Sequence, residues 1–130
     1  MSANTDFVRG IYDAFATGDV PRVLAGLDAN VEWIDADTFP TAGTYIGPDA
    51  VLNGVFMPLT SDIEGFRVTP SEFIADGEKV VSIGRYSGAW KATGKSFETD
   101  FVHVWTLRDG KAIRFRQYTD SGPIQDAIRG

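Results

Sequence analysis

The sequence predicts an α+β domain whose helices gather on one face of a strongly curved, mostly antiparallel sheet. Three observations lead there. Apolar residues in the first third recur at a helical period, and beyond residue 63 the period drops to two. The chain has 130 residues, 43% hydrophobic and 23% charged, which is the size and composition of one soluble domain. No stretch reads as a linker, a repeat or a low-complexity tract, so residues 1–130 are expected to form a single domain.

Phe7, Ile11 and Phe15, with Val8 and Tyr12 beside them, make one apolar helical stripe. Asn4 or Thr5 can cap its start and Gly18 stops it. Asp19-Val20-Pro21 restarts a helix, with Val23, Leu24 and Leu27 as its buried side. Val31-Glu32-Trp33-Ile34 reads as a short strand, and Asp35 to Tyr45 as loop, because Pro40 and Gly43 interrupt any regular element. A third helix follows Gly47-Pro48-Asp49 with Val51, Leu52, Val55, Phe56 and Leu59. Pro58 should kink or end it.

The second half is a predicted meander. Phe66 and Val68 alternate, as do Phe73 and Ala75, and Asp76-Gly77 marks a hairpin before a strand from Val80 to Ser87. Turns at Thr93-Gly94-Lys95 and Asp109-Gly110 bound strands from Phe97 to Leu107 and from Ala112 to Thr119. A short amphipathic tail, Ile124 to Ile128, reads as helix. Long strands must twist and curve, and a curved sheet closed by helices on its hollow side leaves a blind pocket.

Composition removes several functions. The chain has no cysteine, so disulfides, thiolate nucleophiles and cysteine-ligated metals are excluded, and a single histidine excludes a multi-histidine metal site. A net charge of −6 argues against nucleic acid or an anionic membrane as partner. The first residues lack a basic start and an apolar run, so a cytoplasmic location is expected.

Four places can carry chemistry. On the strand Phe97 to Leu107, the face holding Phe101, His103 and Trp105 is the more aromatic and is placed inward. His103 is then either a core histidine satisfied by one hydrogen bond or a group that moves a proton or orients a ligand. On the strand before it, Val81 and Ile83 predict that Arg85 points inward at one end. There it meets either a carboxylate (Asp35, Asp37 or Asp120) or a substrate. On the last strand Phe115 and Gln117 share the apolar-leaning face. Strict alternation sends Asp120 outward, and a bulge near Tyr118 would return it. Asp120 is then either a cap for the tail helix or the acid–base partner of the imidazole. Trp33 and Asp35 share strand parity, so one can line the pocket and the other its rim. No phosphate-cradling glycine loop, nucleophile elbow or metal spacing is present.

Several segments together resemble a known group: Ala16-Thr17-Gly18-Asp19, Asn30-Val31-Glu32-Trp33, Gly43 through Val51, Gly84-Arg85-Tyr86-Ser87-Gly88, His103-Val104-Trp105, Asp109-Gly110-Lys111 and Arg116 through Asp120. Across nearly the whole chain the pattern is similar to the nuclear transport factor 2-like superfamily, above all its SnoaL-like branch of polyketide cyclase and ketosteroid isomerase relatives. The resemblance implies a cone of curved sheet (a cystatin-like roll), three N-terminal helices on its concave face, and a mostly apolar cavity. It also implies a frequent homodimer, with compact hydrophobic molecules handled without metal or cofactor. Matching to ketosteroid isomerases puts Trp33 where their carboxylate base stands. It puts Ile11 at their oxyanion tyrosine, with Tyr12 one step off, and His103 at their second donor. Limonene-epoxide hydrolases share Arg85 and Asp120, but their second acid falls at Ser87. Polyketide cyclases share Asp120 as a terminal-strand proton shuttle.

The expected function is therefore a cofactor-free enzyme acting on a small hydrophobic ketone, lactone or polycyclic compound. Asp120 would shuttle the proton and His103 would polarise a carbonyl oxygen. Trp33, Tyr45, Phe101 and Trp105 would wall the pocket, and Arg85 and Gln117 would hold polar substrate atoms. The alternative is a non-catalytic binding or dimerisation module. A homodimer is expected through the outer sheet face, with Tyr86 and Trp90 as candidate interface aromatics.

Overall fold

A computed structural model describes residues 3–130. Helix α1 (Ala3–Ala16) buries Val8, Ile11, Tyr12 and Ala14. It closes in a Schellman motif: Gly18 takes φ 74°, Asp19 N–H donates to the Ala14 carbonyl and Gly18 N–H to that of Phe15. Asp19 then caps α2 (Val20–Ala25), its carboxylate accepting from Arg22 N–H at 3.2 Å. Leu27 does not extend this helix. It opens strand β1 (Leu27–Asp35), which is longer than Val31 to Ile34.

The segment read as loop holds a further strand, β2 (Gly43–Ile46), paired antiparallel with the end of β1. Its four residues are too few for a legible period. Next come α3 (Pro48–Val51), a π-helical turn at Leu52–Phe56 and α4 (Met57–Asp62). Pro58 neither ends nor breaks this run. It falls in the first turn of α4, just after the wide turn in which Met57 N–H bonds the Leu52 carbonyl, and such turns occur where the ordinary helical ladder is interrupted.

Strands β3 (Ile63–Asp76), β4 (Lys79–Trp90), β5 (Lys95–Arg108) and β6 (Lys111–Thr119) form the meander, and α5 (Gly122–Arg129) follows. Asp109 and Gly110, both at positive φ, make the tight turn of the last hairpin. The sheet order is β2-β1-β6-β5-β4-β3, with β1 parallel to β6 and every other pair antiparallel. The β3–β4 pairing shifts register twice, between Glu64 and Arg67 and between Pro70 and Glu72, and bulges of this kind bend a strand. Helix α1 packs against β3 and β4, and α5 against β5 and β4. The core lies between these helices and the concave face. No helix among the described residues is long and apolar enough to cross a membrane.

Candidate active site

The inner face is built by strand register. On β5, Phe101, His103 and Trp105 point inward and are almost fully buried, as expected from their shared parity. On β4 the inward residues are Val80, Ser82, Gly84 and Tyr86, not Val81, Ile83 and Arg85. The reason is Gly84: a Cβ there would stand 2.3 Å from the Thr69 carbonyl and 2.6 Å from the Phe101 ring. Only glycine fits inward at that point, and the parity of the whole strand follows. Ser82 pairs with His103, and His103 with Gln117, so three polar side chains form one row across the sheet. Beside it, Phe115 on β6 stacks on Trp33 at 3.7 Å between ring centroids.

Two phenols grip the imidazole. Tyr12 Oη lies 2.6 Å from His103 Nδ1, and Tyr86 Oη lies 2.5 Å from Nε2. Tyr12 also bonds the Ser82 hydroxyl, and Trp105 Nε1–H donates to both oxygens, at 3.1 and 3.2 Å. Gln117 donates from Nε2 to Tyr86 Oη at 2.9 Å while its Oε1 accepts from Ala36 N–H at 3.0 Å. Burial pushes both phenol pKa values up and the imidazole pKa well down. Near neutral pH the cluster is therefore two phenols around an uncharged ring.

Asp35 ends β1 on the parity of Trp33 and is 3% exposed. Its carboxylate accepts from Trp33 Nε1–H at 3.1 Å and from the Thr41 hydroxyl at 2.6 Å. These bonds favour the anion, but burial outweighs them, and the pKa is pushed up to about 6. Tyr86 feels this charge. Asp35, His103, Tyr12, Tyr86 and Gln117 all border one cavity of about 60 Å³, otherwise walled by apolar residues such as Trp33, Trp105 and Phe115, and by Val55 and Phe56 of the π turn. Among the described residues no three His, Asp or Glu side chains converge as a metal site would require. What the arrangement can do is move a proton at a carbon atom and hydrogen-bond an oxygen, in a largely apolar space.

Of the residues expected at the pocket, His103, Trp33, Trp105 and Gln117 line it together. Phe101 stands one layer back, stacked on His103 at 4.0 Å. Tyr45 is half-buried; its ring packs over Gly54 of the π turn and its hydroxyl donates to the Thr41 carbonyl. Arg85 is on the outer face, paired with Glu98 and Asp100 at 3.3 and 3.2 Å and more than half exposed. Asp120 is exposed and does not border the cavity. The β5–β6 register runs without a bulge from Thr106 through Phe101, so alternation keeps Asp120 outward. Its carboxylate instead accepts from Gly122 N–H at the entry to α5. A proton shuttle at Asp120 has no access to the pocket. Tyr86, expected on the outer face, is inside and 4% exposed, and Trp90 shares its parity and packs on the core.

Parity with Trp33 points to Asp35 as pocket lining or rim but gives it no chemical role, and the sequence assigns neither Tyr12 nor Tyr86 to the site. Tyr12 carries a signal in the α1 stripe, one step from the position matched to the oxyanion tyrosine. Tyr86 was hidden because the outward Val81 and Ile83 are more apolar than the inward Ser82 and Gly84.

A family model described as SnoaL-like domain matches residues 8–115. Among solved structures, an NTF2-like protein of Burkholderia thailandensis superposes with a TM-score of 0.95 at 32% identity, covering 100% of both chains. An NTF2-like protein of unknown function from Burkholderia pseudomallei gives 0.91 at 33%, again over 100% of both. TerC, co-crystallised with polyporic acid, gives 0.88 at 28%, over 99% of this chain and 100% of that one. No curated protein sequence matches.

Proposed function

The chain belongs to the SnoaL-like domain family, and from that premise we propose that it is a cofactor-independent enzyme whose base is Asp35. The substrate class is a compact, largely apolar ketone, lactone or cyclic compound. One observation carries this reading: a buried carboxylate with a pKa near 6 shares an apolar cavity with a neutral phenol–imidazole cluster. An Asp of ordinary pKa is too weak a base to lift a carbon-bound proton, and burial brings it toward the working pH. Asp35 takes the proton from the carbon next to a carbonyl, and the electron pair moves onto the carbonyl oxygen. Hydrogen bonds from the cluster offset the new charge, and the proton returns to the same or a conjugated carbon. Asp120 takes no part. That TerC was co-crystallised with polyporic acid supports a small-molecule ligand.

A second reading, a binding module without turnover, is favoured by the size of the cavity. At about 60 Å³ it is less than half the ~150 Å³ apolar cavity that accepts benzene, so any ring larger than that needs wall side chains to move. Exchange of α-protons in D₂O separates the two without knowledge of the substrate. Small cyclic ketones incubated with the protein should exchange faster than in buffer, with a rate that rises as pH passes about 6. Asp120→Asn should leave the rate unchanged. Ligand binding with no accelerated exchange across such a panel overturns the enzyme reading.

We also propose a homodimer through the outer sheet face. There Val81 pairs with Val104, and Ile83 with Val102, which in turn faces Tyr118, an apolar stripe that water half covers. Tyr86 and Trp90 have no part in it. Sedimentation at micromolar concentration should give twice the 14.2 kDa chain mass, and Val102→Glu should give the monomer; a wild-type monomer contradicts the proposal.

A further inference from the structure

Tyr12 Oη already faces three partner atoms, Ser82 Oγ, His103 Nδ1 and Trp105 Nε1, so its hydrogen lies toward Ser82 or toward Nδ1 and not toward the cavity. The buried cluster then has two directions, and they leave different hydroxyl hydrogens without an acceptor. Gln117 is held by Ala36 N–H on its carbonyl, so its amide must donate to Tyr86 Oη. Trp105 can only donate, to Tyr12 and Ser82. The neutral imidazole carries one proton. If that proton is on Nδ1, Tyr86 donates to Nε2, Nδ1–H donates to Tyr12, and Tyr12 donates to Ser82. The Ser82 hydroxyl hydrogen then has no protein acceptor, on a residue with no exposure that does not border the cavity. A dry orphan of this kind is costly. If the proton is on Nε2, Ser82 donates to Tyr12, Tyr12 to Nδ1, and Nε2–H to Tyr86. Tyr86 then accepts twice, and its own O–H, with no protein acceptor in reach, is left at the cavity wall.

We infer that Tyr86 is the hydroxyl donor to a ligand carbonyl oxygen, and that Ser82, Tyr12 and His103 are positioning residues that aim the chain of donors toward it, with the imidazole proton on Nε2. The inference rests on the proposed function only in taking the ligand to carry such an oxygen. Each bond in the chain polarises the next, so the last donor is stronger than an isolated phenol. A fixed hydroxyl donor at the cavity wall places an acceptor oxygen, that of a ketone or enolate, opposite Tyr86.

The chain has one histidine, so its ring signals in ¹⁵N-labelled protein need no assignment by mutation. The expected spectrum has Nε2 protonated and Nδ1 bare in the free protein at pH 7. A proton on Nδ1 overturns the inference. For the donor itself, 2-cyclohexenone and cyclohexene are titrated against wild type and Tyr86→Phe. Tyr86→Phe should weaken the ketone about five- to tenfold, the worth of one hydrogen bond, and leave cyclohexene unchanged. Equal loss for both probes overturns the donor role. Should Asp35→Asn still catalyse exchange while Nε2 holds the proton, the base assignment falls and the donor assignment stands.

Discussion

Asp35→Asn is expected to lower turnover about 10²- to 10⁴-fold, the usual worth of a positioned general base, while making the protein more stable at pH 8. The two effects share one cause. Burial raises the Asp35 pKa from 3.8 to about 6, so between those values the folded chain holds a proton that the unfolded chain has lost. Stability therefore falls as pH rises through that window and stays lower above it, by about 3 kcal/mol for a shift of this size. Asparagine carries no charge and has the same shape. Its oxygen can accept from Trp33 Nε1–H, and its amide can donate to the Thr41 hydroxyl, which turns to accept. A gain of roughly 1–3 kcal/mol at pH 8 that shrinks toward pH 4 is the expected pattern in denaturant titrations. An activity loss accompanied by lost stability at pH 8 would mean that Asp35 is a structural carboxylate.

The second large effect is Gly84→Ala, expected to cost about 3 kcal/mol and lower Tm by about 10 °C. Two of the atoms that a Cβ would meet, the Thr69 carbonyl oxygen at 2.3 Å and Pro70 Cα at 2.8 Å, belong to the β3 backbone beside its bulge and cannot swing aside. The third is the Phe101 ring, and displacing it disturbs His103, on which it stacks. Gly54→Ala is a fair contrast. Its Cβ would stand 2.3 Å from Tyr45, but that contact is a side-chain ring that can rotate at the cost of one hydrogen bond. A Gly84→Ala variant that melts with wild type would show that β3 can move away, and would remove the reason given for the parity of β4.

Much of the fold was legible because it rests on repeated local signals. The α1 stripe, the Gly18 stop, the Asp109-Gly110 turn and the alternation of Phe101, His103 and Trp105 each state a local rule, and the structure obeys them. Strand β2 was not legible, since four residues around Tyr45 cannot display a period and are strand only because β1 offers them an edge. The site was half legible. His103, Trp33, Trp105 and Gln117 follow from parity within their own strands. Arg85 and Tyr86 exchanged faces because hydrophobicity was the wrong guide on β4: the inward positions are a serine and a glycine chosen by what lies opposite, Tyr12 and Phe101, which is information from other elements. Asp120 failed for the converse reason. The pocket role needed a bulge near Tyr118, and the β5–β6 register runs without one from Thr106 through Phe101, which leaves Asp120 outward as strict alternation has it.

Everything proposed for the chemistry depends on one carboxyl group being held away from water beside the phenols. A ¹³C titration of the Asp35 side-chain carboxyl in the ligand-free protein, followed from pH 3 to pH 9, measures that directly. A midpoint near 6, shared by the rise in exchange rate, is the expected result. A midpoint at about 4, where an ordinary solvated aspartate titrates, would leave the cavity without its base.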